Sequence, residues 1–238
     1  MGLMQVAIIL LHPGCNMVCD FCVTEDPLGS MTFEEAVTLL RHLKEKGIAN
    51  VVFGGGEPFD WKNDLIALTA VAKEMGFFVQ IGTNGVALPP HFESIPTIDR
   101  FVLPLDSADP EIHNRLRRYR NRHHSIILDR LRILREAHQS VTVSTVVTRE
   151  NLTHLKEIGL FLKAYYQEGG LLHAWHLYQF LPEGRGGYPN AGRLAPTQED
   201  YHRTTDEVKR MELGFTVYKR PNMYQSKTVG FFSRISEN

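Results

Sequence analysis

The residues best suited to chemistry are three cysteines, the only ones in the chain, in the run Cys15-Asn16-Met17-Val18-Cys19-Asp20-Phe21-Cys22. An odd, tightly spaced set argues against a disulfide framework and for a metal site. Three thiolates on one loop can bind three irons of a cubane iron–sulfur cluster, leaving the fourth iron open to a small-molecule ligand. A structural zinc site would need a fourth ligand, and His12 is available only at an unfamiliar spacing. A cluster that only carries electrons would need a fourth cysteine. Further along stand Gly54-Gly55-Gly56-Glu57-Pro58, Thr83-Asn84-Gly85 and Leu105-Asp106-Ser107. The glycines either make a plain turn or let backbone amides approach a ligand closely. Glu57 is either a helix-start acid or a partner for an ammonium group. Asn84-Gly85 is a common turn pair in its own right.

Several polar groups carry two readings. Arg115, Arg117, Arg118, Arg120 and Arg122 form either a solvated helix end or a clamp for a phosphate or carboxylate. His123 and His124 extend that polar surface. His173 and His176 stand either side of Trp175 on one strand, with a core or surface role as the plain reading and a barrel-lining His176 that binds substrate as the functional one. Lys219, Arg220, Tyr224 and Lys227 belong either to the mouth of a barrel or to a surface tail.

These residues need a scaffold, and the hydrophobic pattern supplies one. Met4 to Leu11 reads as a buried strand, followed by a long cysteine-bearing loop from Pro13 to Ser30. Thr32 and Glu35 make a capping box for a helix reaching about Lys46. Further strands follow at Asn50 to Phe53, Phe77 to Gly82, Arg100 to Leu105, Val141 to Val147 and His173 to Leu181. Helices alternate with them: one capped by Asp60 and running to Met75, helical segments from Asp109 to His138, and one from Glu150 to Tyr166. Glu183 to Pro196, with four glycines and two prolines, reads as a loop. A helix from Thr197 to Met211 and a strand from Phe215 to Tyr218 complete the pattern.

Six strand–helix units predict an α/β protein, an open partial (β/α)6 barrel with a parallel sheet and outer helices. Residues 1–182 form its core, and 183–238 are an extension of loop, helix and strand packed on it. In such folds chemistry sits at the C-terminal ends of the strands, where the cysteines and glycines fall.

The ordered set of motifs resembles the radical S-adenosylmethionine (radical SAM) enzyme superfamily. Cys15, Cys19 and Cys22, spaced three and then two residues apart with Phe21 before the last, match its cluster signature. Gly55-Gly56-Glu57-Pro58 is similar to its segment for the amino group of SAM, and Thr83-Asn84-Gly85 to a segment near the ribose and carboxylate. Leu105-Asp106-Ser107 recurs in the viperin-like and molybdenum-cofactor-cyclase-like branch. The resemblance covers roughly residues 4 to 185. It implies a [4Fe–4S] cluster and SAM as cofactors, and a 5′-deoxyadenosyl radical that takes hydrogen from a substrate. It places Phe21, Gly55, Gly56, Glu57, Pro58, Thr83, Asn84 and Ser144 at SAM, with Arg118 and His176 at the substrate.

Asn50, Thr142 and His176 fall where the viperin-like branch has lysines for a nucleotide triphosphate. Three ammonium groups are thus missing, so the expected substrate is a small anionic molecule other than cytidine triphosphate. A peptide- or cofactor-maturing enzyme working with a partner protein is the alternative, and a cluster-bearing redox sensor the non-enzyme reading. A one-electron reductant such as flavodoxin or ferredoxin is implied. A formal charge of −1 gives no basis for nucleic acid or membrane as a partner. Val6 to Leu11 is too short to span a bilayer and no secretory signal is visible, so the expected address is the cytoplasm.

Overall fold

The computed structural model describes residues 5–25 and 29–234. The strands in chain order are β1 (Val6–Leu10), β2 (Val18–Cys19), β3 (Asn50–Gly54), β4 (Phe78–Gly82), β5 (Arg100–Pro104), β6 (Arg117–Arg118), β7 (Val141–Val147), β8 (Leu172–Gln179), β9 (Thr216–Arg220) and β10 (Val229–Ser233). The helices are α1 (Phe33–Glu45), α2 (Leu65–Glu74), α3 (Pro110–Leu116), α4 (His123–Glu136), α5 (Leu155–Gln167), α6 (Gly184–Leu194) and α7 (Gln198–Lys209). Eight strands form one parallel sheet in the order β10-β1-β3-β4-β5-β7-β8-β9, and β2 pairs with β6 in a separate antiparallel ladder. The order is open, with β10 and β9 at its ends. The expected α/β class is therefore found, and the anticipated last strand near Phe215 to Tyr218 appears as β9 in the same sheet. Met4, the expected start of the first strand, lies outside the described residues, as does part of the loop from Pro13 to Ser30.

The chain divides into two compact units. The first comprises Met1–Asn16, Thr24–Phe101 and Tyr224–Asn238. Its core is built on Ala7, Ile9, Val51, Phe53, Val79 and Ile81, all fully buried, against Leu40 and Leu43 of α1 and Leu68 of α2. The capping box is present: Glu35 N donates to Thr32 Oγ1, and Thr32 N to the Glu35 carboxylate. The next helix starts later than the sequence suggested. Asp64 accepts from Ala67 N and caps α2, whereas Asp60 lies in a single 3-10 turn, Pro58–Asp60. Both are good caps by residue type, but Glu57 caps the turn that contains Asp60, which leaves Asp64 to start the helix. β10 was not anticipated as a strand; it pairs in parallel with β1, from Val6↔Val229 to Leu10↔Ser233.

The second unit comprises Met17–Val23 and Val102–Met223. Trp175, wholly buried on β8, donates through Nε1 to Thr145 Oγ1 on β7. Tyr201 of α7, also buried, donates to Leu177 O and accepts from Arg220 N, bridging β8 and β9. The segment expected to be a loop is helix α6. Its glycines have a packing reason: a Cβ on Gly186 would lie 2.3 Å from Cys19 O and 2.5 Å from Cys22 N. Gly186 and Gly187 donate their N–H groups to Cys22 O at 3.0 and 3.3 Å. Glycine here serves close approach of a helix to the cysteine segment, at a cost in helix propensity that tertiary contacts offset.

Tyr201→Phe keeps the ring and removes the hydroxyl bridge, leaving the buried Leu177 carbonyl and the part-buried Arg220 N–H without that partner. A loss of about 1–3 kcal/mol in unfolding free energy is expected, read as a lower urea midpoint with unchanged m-value.

Candidate functional site

In the first unit the glycine run folds against the segment preceding Cys15. Gly56 N donates to His12 O at 2.7 Å and Glu57 N to Gly14 O at 2.8 Å. His12 Nε2 returns a bond to Glu57 O at 2.6 Å. A Cβ on Gly56 would lie 1.8 Å from Gly14 O, and one on Gly55, at φ +136°, 2.5 Å from His12 O. The close approach inferred for these glycines is thus made to the chain's own backbone. His12, the possible zinc ligand, has its Nε2 committed to this backbone contact.

Glu57 is fully buried. Its carboxylate accepts from Thr83 Oγ1 at 2.7 Å, Asn84 N at 2.7 Å and Phe59 N at 3.2 Å. Burial pushes its pKa up to about 7 against the pull of those donors. Thr83 in turn accepts from Gly85 N, and Gly85, at φ +76°, closes the turn. Asn84 accepts from Val86 N through Oδ1, leaving its amide to donate to Asn16 Oδ1 at 2.7 Å and to Cys15 Sγ at 3.6 Å. The structure therefore brings Gly55, Gly56, Glu57, Pro58, Thr83 and Asn84 together, and links them to Cys15.

The second unit holds the other two cysteines. Cys19 on β2 pairs with Arg117 on β6, and Arg117 Nη1 points at Cys19 Sγ, 3.8 Å away. The Arg117 guanidinium lies over the Phe21 ring at 4.8 Å and its Nε donates to Asp106. Burial opposes its charge, but Asp106, Cys19 and Cys22 together outweigh that and raise its pKa. Asp106, with no exposure, accepts from Val146 N at 2.7 Å through its other oxygen. Phe21 packs with Leu116, Phe180 and Leu194.

The basic stretch is therefore not a uniform surface. Arg117 is buried, while Arg118 is largely exposed and lies 2.8 Å from Asp20 Oδ1. That contact is Coulombic and lacks the alignment of a hydrogen bond, so Oδ1 has no proper donor. Arg193 donates to the other Asp20 oxygen and to Glu150, which also accepts from Arg115 at 2.9 Å. His123 and His124, expected at the surface, are buried. Asp106 N donates to His113 Nδ1, so His113 carries its proton on Nε2 and donates to His123 Nδ1 at 2.8 Å. Burial, with His123 and Arg117 nearby, holds the His113 pKa well below the usual range. His123 stacks on His113 and His124 meets the same ring edge-on, which explains why the pair turns inward.

Ser144 and His176 are neighbours in register on β7 and β8, on one face. His176 Nδ1 lies 3.2 Å from Tyr178 OH. Arg117, Arg193 and Tyr178 were missed as parts of the site. Tyr178 was readable from the alternation that carries His176; the partners of Arg117 and Arg193 are distant in sequence.

Each of the three cysteines is outside any disulfide and partly accessible. Among the described residues no three His, Cys, Asp or Glu groups converge on a single metal ion. A cubane does not need that, since it takes one thiolate per iron. N–H donors already aimed at Cys15 and Cys19 suit sulfurs that carry negative charge. The residues present fit such a cluster.

Comparison with known proteins agrees with this fit. Residues 9–162 match the family model for the Radical SAM superfamily. The AdoMet-dependent heme synthase of Nitratidesulfovibrio vulgaris is 26% identical over 178 residues, 72% of this chain and 47% of that protein. The S-adenosylmethionine-dependent nucleotide dehydratase of Flammeovirga pacifica is 27% identical over 186 residues, covering 71% and 60%. Streptococcus suis SuiB bound to S-adenosylmethionine superposes with a TM-score of 0.72 at 16% identity, over 92% of this chain and 51% of that one. This last likeness shows the fold, an α/β partial barrel. The chain spans about half the length of the heme synthases it matches. Among the described residues no helix is long and apolar enough to cross a membrane.

The Glu57 carboxyl has a testable signature. Its folded pKa lies above its unfolded value, so the stability tied to the protonated form is full below about 4.5 and lost as pH rises through about 7. Glu57→Gln removes that titration. Urea midpoints from pH 4.5 to 8 should fall less in the variant than in the native chain, by up to about 3 kcal/mol of unfolding free energy.

Proposed function

Because the chain belongs to the radical SAM superfamily, we propose that it is an enzyme in which Cys15, Cys19 and Cys22 hold a [4Fe–4S] cluster and the loops after β3 and β4 bind SAM. The family uses both cofactors. Together they supply reductive cleavage of SAM to a 5′-deoxyadenosyl radical, which takes a hydrogen atom from the substrate. The observation that carries the reading is the pair of N–H donors, from Asn84 and Arg117, aimed at two of the three cysteine sulfurs.

The chain's own groups do the rest. Arg117 offsets thiolate charge at Cys19 and orients Phe21, the residue we place near adenine. Gly55, Gly56, Thr83, Asn84 and Ser144 are the proposed SAM contacts, and Pro58 fixes the turn between them. The buried Glu57 carboxylate acts as their brace, setting the orientation of the Thr83 hydroxyl and the Asn84 amide. The segment that Glu57 orders would hold the methionyl ammonium of SAM.

The substrate is proposed to be a small molecule with an anionic group. Arginines dominate the basic groups of the second unit, while the three triphosphate lysines of the viperin-like branch are replaced by Asn50, Thr142 and His176. Asn50 opens β3 and donates to Gln5 O, and Thr142 is buried near the start of β7. Neither supplies charge for a triphosphate. His176 keeps its place as a candidate substrate contact, whereas Arg118 would have to leave Asp20 to act as one. A one-electron donor such as flavodoxin or ferredoxin completes the reading.

Anaerobically reconstituted protein should bind about four irons and four sulfides per chain with the Mössbauer spectrum of a cubane. It should release 5′-deoxyadenosine from SAM on reduction. Alanine at any of Cys15, Cys19 or Cys22 should abolish both signals. Tightly bound zinc without sulfide would refute the assignment. Cytidine triphosphate should leave the rate of 5′-deoxyadenosine release at background.

A further inference from the structure

The strands of the second unit have two distinct faces. Trp175 lies on the helix side, its ring 3.4 Å from where a Cβ on Gly159 of α5 would stand. By alternation His176 and Tyr178 occupy the opposite face. The parallel register of β8 and β9 sets Tyr218 beside His176 and Arg220 beside Tyr178. Side-chain contacts agree. The rings of His176 and Tyr218 meet edge to face at 5.1 Å, and the Arg220 guanidinium lies over the Tyr218 ring at 4.8 Å.

Arg220 differs from the paired cations of its unit. Arg117 is held by Asp106, Arg118 and Arg193 by Asp20, and Lys219 by Asp206. Among the described residues Arg220 has no carboxylate partner; its guanidinium lies over the Tyr218 ring, near enough to the Tyr178 hydroxyl for its charge to act there. It is nonetheless half-buried and well positioned. Its backbone N donates to Tyr201 OH, the hydroxyl that ties α7 to β8. It closes β9 at the strand's C-terminal end, level with Tyr178. Val146, on β7 across Tyr178, reaches the cluster that contains Phe21. Adjacent strands lie about 4.8 Å apart, so β7 and β9 at this level are about 10 Å apart. A small molecule spans that distance.

We propose that Arg220, with the Tyr178 hydroxyl beside it, binds one oxyanionic group of the substrate, a carboxylate or a phosphate monoester. Tyr218 keeps the guanidinium flat against its ring, leaving the N–H edge for a bidentate contact with two oxygens. A single guanidinium matches one anionic group and not a triphosphate. Burial raises the Tyr178 pKa, so its hydroxyl keeps its proton at neutral pH, and with His176 donating to it from Nδ1, 3.2 Å away, that proton is left for the anion. The inference rests on the enzyme reading above for the word substrate; the anion site itself does not.

The test uses cluster-loaded protein under anaerobic conditions. Phenylglyoxal modifies accessible arginines, and peptide mass spectrometry reports the rate at each. Arg220 should react readily in the free protein. Saturating inorganic phosphate or acetate should slow it about tenfold, as for a lost or gained charged contact. Whichever anion protects at the lower concentration identifies a phosphate monoester or a carboxylate as the group the site prefers. Tyr178→Phe should raise the protecting concentration about three- to tenfold by removing one hydrogen bond. Unchanged reactivity of Arg220 with both anions would overturn the proposal. So would equal protection of the exposed Arg132 and Arg203, which would mean general screening. SAM cleavage is assayed on the same sample. Cleavage without protection sinks this subsite alone, and protection without cleavage supports it while sinking the enzyme reading.

Discussion

The buried guanidinium of Arg117 organises the second unit's share of the site. Four neighbours depend on it: the Asp106 carboxylate, the Cys19 sulfur, the Phe21 ring and the backbone ladder between β2 and β6. Asp106 then fixes β7 through Val146 N, and its backbone anchors Asn151 and His113. A buried ion pair contributes little net stability, because desolvation opposes its attraction, but removing one partner costs about 3–5 kcal/mol. Such a pair mainly fixes geometry. An arginine suits the position because its fork serves several acceptors at once, where an ammonium is a single point.

The first unit solves the same problem with a carboxylate. Glu57 gathers one hydroxyl and two amides, and the glycines before it let the loop lie on the His12–Gly14 backbone. Each unit thus fixes its cysteine segment with one buried charged or titratable group surrounded by opposite dipoles. A site of this kind is rigid before any ligand arrives, which is what preorganised chemistry asks of its scaffold.

Much of this was legible in the sequence because it depended on local spacing. The cysteine run, the capping box at Thr32 and the turn at Thr83-Asn84-Gly85 all declare themselves within a few residues. The features that were misread depend on distant partners. The glycines of α6 look like a loop until Cys19 and Cys22 are seen against them. His123 and His124 look solvated until His113 is placed beside them. Arg117 and Arg118 are adjacent in sequence, yet strand alternation turns one inward and leaves the other exposed. β10 was passed over because a short apolar run near the end of the sequence carries no pattern of its own. What makes it a strand is the open edge of β1.

That edge sets an order on the birth of the molecule. β10, the strand that covers the outer side of β1, is synthesised more than two hundred residues after it. At ordinary synthesis speeds of about 5–20 residues per second, the nascent chain carries a bare, apolar strand edge for about ten seconds or more. Unpaired edges invite pairing with other chains, and closing so long a loop is slow. The first unit therefore reaches its full complement of strands only after the second has been synthesised.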